Sequence, residues 1–233
     1  MFVDVEINGI LGSSLSVYAK ERPNIPVAKK RRNEIIIPGR DGALIETTGE
    51  YEPTEFAIEF NYIGKAEEFH DRFDRIKKWL SAENCRMILS DDAGWFYKVA
   101  YIDIGEMQRP TERIGVFRAM IKTVDGLKYL INGMNEYDIS EINKNPYLMS
   151  KPIYKIKGEG ICTISVNGKT VKANVGQNLT IDTELMIAYR EDGTMNNTAI
   201  TGDYESLYLT EGDLSVTATG GFDVKIIPNW RCL

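Results

Sequence analysis

The sequence predicts a mainly β protein in two parts, an N-terminal α+β domain of β-sheet with one helix and then a C-terminal β-sandwich. Three observations predict it. Apolar residues alternate with period two through most of the first 130 positions. A single stretch, residues 66–80, switches to helical period. After Pro152 the chain is a series of short apolar runs separated by evenly spaced turn signals, with no helical interruption. The expected boundaries are residues 1–131 for the first domain, 132–151 for a linker and 152–233 for the second domain.

Residues 1–7 alternate as a strand, and Asn8-Gly9 is a hairpin turn signal. The return strand is expected at residues 15–20, followed by a loop through Arg32. That loop carries the basic run Lys29, Lys30, Arg31 and Arg32, best read as solvated charge in an acidic protein. Ile35, Ile36 and Ile37 form a β-branched run expected to be a buried strand. Pro38 and Gly39 end it, because proline lacks an N–H and glycine accepts positive φ. Arg40 and Asp41 then sit on a tight turn closed by Gly42, and a strand returns from Ala43. Taken alone, this segment reads as a surface turn with a local ion pair.

Phe56, Ile58, Phe60 and Tyr62 share one face of the next strand. In the helix, Phe69, Phe73, Ile76 and Leu80 fall at i, i+4, i+7 and i+11, with Trp79 beside them. These five are the expected helix core. Acids lead and bases trail along the helix, as its dipole favours. Strands are then expected at 86–89, 95–104 and 115–123, with a polar loop at 106–113. Asn132-Gly133 and Asn145-Pro146 break the chain where the linker is placed. In the second domain the expected strands include 153–157, 160–166, 170–175, 177–181, 185–189, 207–209, 214–218 and 222–227.

Composition bounds the function. With 43% hydrophobic and 27% charged residues, the chain is of the ordinary globular type. No apolar run reaches the ~18 residues of a membrane span, so no membrane insertion is expected. The N-terminus lacks a signal-peptide layout, and folding in a cytoplasm is the expectation. Cys85, Cys162 and Cys232 are odd in number and widely spaced, against a disulfide framework or a metal site. Residues 1–131 hold 19 basic and 21 acidic residues, a net −2. The remainder holds 9 and 13, a net −4, so no specific nucleic-acid binding is expected of either part.

Nothing in the sequence assembles a catalytic site. His70, the single histidine, sits in the helix between Phe69 and Asp71 and reads as a solvent-facing or rim residue. No glycine-rich phosphate loop leads from a strand into a helix. Asp91-Asp92 and Asp192-Gly193 read as turns, not as calcium loops. The expectation is therefore a protein that is not an enzyme, with no catalytic residues, no cofactor and no metal.

The order of these features resembles a known family. An N-terminal hairpin leads to Ile37-Pro38-Gly39-Arg40-Asp41-Gly42. Then come Tyr51-Glu52-Pro53, an alternating strand, a helix ending in Trp79-Leu80, Ile88-Leu89-Ser90-Asp91-Asp92, and the aromatic strand Trp95-Phe96-Tyr97-Lys98-Val99. Near the end stand Leu209-Thr210-Glu211-Gly212-Asp213 and Ile227-Pro228-Asn229-Trp230-Arg231. This layout resembles the distal tail proteins (Dit) of long-tailed, non-contractile phages that infect Gram-positive bacteria. Asp213 departs from the Asn expected before the penultimate strand.

The resemblance implies a structural protein of the virion tail tip, made and assembled in the bacterial host cytoplasm. It implies a hexameric ring, alone or as two rings back to back, at the distal end of the tail tube. The first domain would form that ring. The second, a galectin-like β-sandwich, would project outward. The ring would join the tail tube protein to the tail-tip protein around a channel for DNA. Some relatives grip a receptor-binding protein with an inserted arm, for which residues 152–233 leave little room. Pro38, Gly39, Arg40, Asp41 and Gly42 are the candidate interface motif. A second reading is a carbohydrate-binding module that contacts the host cell wall, with Tyr204, Tyr208 and Trp230 stacking on sugar.

Overall fold

A computed structural model describes residues 3–233; the first two residues of the expected N-terminal strand lie outside the described residues. The chain divides into two compact units, Met1–Lys128 with Leu233, and Tyr129–Cys232. The protein is mainly β, and Phe69–Leu80 is the one α-helix among the described residues.

In the first unit the main sheet runs in the order Ile10–Leu11, Val5–Ile7, Cys85–Leu89, Trp95–Ile104, Ile114–Leu130, Glu55–Ile63, Val17–Ala19. The alternation of the sequence sets which face is buried. Phe56, Ile58, Phe60 and Tyr62 are all at most 4% exposed, while Glu55, Glu59 and Ile63 on the same strand face solvent. Ile114–Leu130 pairs with that strand so that Phe117 stands opposite Phe60, their rings stacked at 5.3 Å. The helix lies over this pair. Trp79 meets Phe60 edge-on at 6.1 Å, and Phe73 meets Phe117 at 6.0 Å. Phe69, Ile76, Trp79 and Leu80 are buried, and Phe73 packs half-buried against the same core. The Trp79 indole N–H donates to the Ile10 carbonyl at 3.1 Å, which ties the helix to the N-terminal hairpin.

In the second unit one hairpin dominates. Ile153–Val166 pairs with Lys169–Asp182 in register from end to end, around an Asn167-Gly168 turn with φ of 49° and 83°. The two strands change outer partners along their length. Ile153–Val166 takes Asp223–Ile227 at its start and Val216–Ala218 at its end. Lys169–Asp182 takes Ile200–Thr201 and then Ile187–Tyr189. A sheet whose partners change in this way curls, and its concave side closes on a core that includes Tyr154, Ile164, Val171, Ile181, Leu207 and Ile226.

Several expectations are corrected. Each long strand of this hairpin was predicted as two, split near Gly158 and Gly176. The glycines bend the strands without ending them, because Gly158 (φ +145°) still pairs with Gln177 and Glu159 with Gly176. The N-terminal turn returns through Ile10–Leu11, and a 3-10 turn at Gly12–Leu15 separates that piece from Val17–Ala19. A strand, Gln108–Thr111, occupies part of the predicted 106–113 loop. Residues 132–151 pack as part of the second unit and not as a free linker. Ile142 is in its core, and the buried Asn145 amide donates to the carbonyls of Leu148 and Leu209, both at 3.0 Å. Their weak alternation reflects short strands and 3-10 turns held by such polar bonds, which leave no periodic signal.

Candidate functional site

The most unusual surface of the first unit is a two-stranded ribbon, Lys30–Ile36 with Ala43–Tyr51, which forms a sheet of its own. Its turn follows the chemistry of the sequence. Pro38 and Gly39 take the two central positions of a type II turn, with Gly39 at φ +82° and the Arg40 N–H donating to the Ile37 carbonyl at 3.1 Å. Gly42, at φ +77°, turns the chain back into the second strand. Near the base the register shifts between Lys30 and Arg32, opposite Gly49 at φ +82°. There Arg31 pairs with Glu50 at 2.9 Å, and the Glu52 N–H donates to the Lys29 carbonyl at 2.8 Å.

The β-branched run was expected to be buried. Its first two residues end a strand and Ile37 lies just beyond it, but the run faces water: Ile36 is 81% exposed and Ile45 58%, with Leu44, Ile35 and Ile37 also exposed. The register explains why no single packing surface could hide them within this unit. Ile35 and Leu44 stand on one face with Asn33 and Glu46, while Ile36, Ala43 and Ile45 stand on the other with Arg32 and Glu34. A ribbon that is apolar on both faces needs a covering surface on each side. Exposed aliphatics gathered this way mark an interaction site. The five residues Pro38 to Gly42 cap this ribbon at its tip, all exposed, and among the described residues the Arg40 and Asp41 side chains have neither a hydrogen bond nor an ion pair.

The three candidate sugar-stacking residues are each half-buried. Tyr204 and Trp230 are packed, half-buried, against the second core. The Tyr204 hydroxyl is enclosed without a partner among the described residues, and desolvation raises its pKa. Trp230 lies against Gly133, where a Cβ would come within 2.9 Å of the Trp230 backbone nitrogen, and its ring is 6.5 Å from that of Tyr147. Tyr208 carries the Lys151 ammonium 5.6 Å from its ring centroid. His70 is exposed on the helix, its ring edge-on to Phe69. Among the described residues no cluster of His, Cys, Asp or Glu is arranged to hold a metal. Cys85 and Cys162 are buried, and desolvation raises both thiols. Among the described residues no helix is long and apolar enough to cross a membrane.

The β-rich fold, with its single described helix and its separate ribbon, is similar to that of a solved structure. The chain matches the SPP1 Dit protein (gp 19.1), described as a paradigm of the hub adsorption apparatus in phages infecting Gram-positive bacteria. The TM-score is 0.70 at 13% identity, over 96% of this chain and 97% of that one. The chain therefore has a Dit-like fold along nearly its whole length. No protein-family model matches the sequence. No curated protein matches it either.

Proposed function

We propose that the protein is a structural component of a phage tail, with no catalytic role, that closes as a ring of six at the distal end of the tail tube. Full-length similarity to the SPP1 hub protein carries this reading, and the ribbon with two apolar faces supports it. Heterologous contacts between identical subunits close into rings when the rotation permits. Residues 1–131 make the ring contacts, Pro38 to Gly42 among them. The ring joins the tail tube protein to the tail-tip protein and leaves a channel. A net charge of −2 in residues 1–131 suits a wall past which DNA slides without being held. Assembly takes place in the bacterial cytoplasm, and the finished ring resides at the virion tail tip, alone or as two rings back to back.

Electron microscopy of the protein together with its tube or tip partner tests the reading. Six-fold rings are the expected result. A stable monomer or a non-cyclic dimer in that setting overturns it.

A further inference from the structure

A second exposed apolar feature lies in the first unit. A cleft of about 320 Å³ opens between the N-terminal hairpin and the helix, floored by Trp79 and walled by Ile10, Leu15 and Ala82. It borders Ile10–Leu11, the terminal strand of the main sheet, whose side chains are 50% and 44% exposed. The charged residues of its lining are Arg75 and Lys78, both on the exposed side of the helix, and no carboxylate lines it.

The ribbon carries the complement on one face only. Ile35 and Leu44 stand there with Glu46 and Asn33, so that the tip-side part of this face, beyond the Arg31–Glu50 ion pair at the base, is apolar with one acid and no base. The opposite face carries Arg32 as well as Glu34, so a base there would meet the cationic rim along with the acid. We propose that the Ile35–Leu44 face of one copy docks in the Ile10–Trp79 cleft of the next copy, with Glu46 directed to Arg75 and Lys78. The proposal rests on the ring reading above and names the surfaces that would form it. Each copy offers one ribbon and one cleft, so the contact is head-to-tail and every subunit both gives and receives. Aliphatic side chains supply the contact, and the charge match fixes which face enters.

Single-cysteine variants test it. Leu44→Cys and Ile10→Cys are made separately in a Cys232→Ser background, which leaves only the two buried native thiols. Mixed under mild oxidant, the pair can form a disulfide only between copies. The expected rate is at least about tenfold above that of a Thr47→Cys and Ile10→Cys mixture, because a docked pair raises the local thiol concentration. Thr47 lies on the opposite face of the ribbon. Glu46→Lys should slow the first pair, and Lys78→Glu added on the Ile10→Cys partner should restore it. Equal rates for the two mixtures, or no response to the charge swap, overturn the proposal. Six-fold rings seen by microscopy alongside equal rates would remove this contact and leave the ring reading standing. Absence of rings with the tail partners removes both.

Discussion

Ile36→Asp separates assembly from folding. Ile36 is 81% exposed in the monomer, so the substitution takes almost nothing from the folded chain, and less than ~0.5 kcal/mol of stability should change. Fully burying an isoleucine is worth about 1.5–3 kcal/mol, so covering the exposed four-fifths contributes roughly 1–2.5 kcal/mol per contact. In the proposed ring of six, with the Ile36 face covered by a contact separate from the Ile35–Leu44 dock, this term repeats in every subunit, a total of about 6–15 kcal/mol per ring. An aspartate loses this term and adds the cost of desolvating a carboxylate. The assay is thermal melting by circular dichroism in parallel with microscopy of rings formed with the tail partner. Unchanged melting with loss of rings is the expected result. A contrasting change, Ile58→Ala at a 1% exposed position, should cost about 2–5 kcal/mol and lower the melting temperature. The reasoning is refuted if Ile36→Asp melts like Ile58→Ala, or if it forms rings as well as the parent.

Other outcomes can be checked on the same protein. Arg40→Lys should leave melting unchanged, since Arg40 is exposed and unpartnered among the described residues; a fall in ring yield would place its planar fork at the interface. Thr123→Val strips the hydroxyl that accepts the buried Thr54 N–H at 2.9 Å and donates to the Thr54 carbonyl at 3.1 Å, and should cost about 1–3 kcal/mol in a urea titration. Gly158→Ala places a Cβ 2.5 Å from Phe222 at φ +145°, and a loss of about 1–3 kcal/mol is expected in the same titration. Burial raises the Tyr154 hydroxyl above its ordinary value of 10.0 while it donates to the Leu207 carbonyl at 2.8 Å. The unfolded chain therefore loses that proton first, and stability present below pH 10 declines as pH rises beyond it. Tyr154→Phe should flatten this alkaline decline while lowering stability at neutral pH by about 1 kcal/mol.

Much of the fold was legible because burial on one face leaves a period in the sequence. The Phe56 to Tyr62 alternation and the i, i+4, i+7 pattern of Phe69, Phe73 and Ile76 each report one packed face. The same logic misread the ribbon. Ile35, Ile36 and Ile37 are continuous, and a continuous apolar run normally means burial on both faces. Within a single copy that burial is missing, so the sequence records a requirement that this chain alone does not meet. The long second-unit strands were missed for a different reason. Glycine breaks a local propensity, while strand pairing depends on hydrogen bonds to distant residues such as Gln177, which no local pattern reports. The aromatic residues Tyr204 and Trp230 could not be sorted into core or surface from type alone, since both carry an apolar body and a polar tip.

The two-faced ribbon also sets a kinetic problem for the cell. A short segment of high β-propensity, apolar on both sides and held apart from the main sheets, has the sequence character of a nucleus for strand-to-strand aggregation. Its flanks carry the countermeasures. Pro38 breaks the run at the tip, and Lys29, Lys30, Arg31 and Arg32 crowd its base with like charge. These residues act as gatekeepers on the unassembled chain. On the ring reading proposed above, their value lies in the interval between synthesis and incorporation, when each copy must stay soluble yet ready to be covered. Neutralising the basic run should therefore shorten the soluble lifetime of the free subunit well before it alters the folded structure.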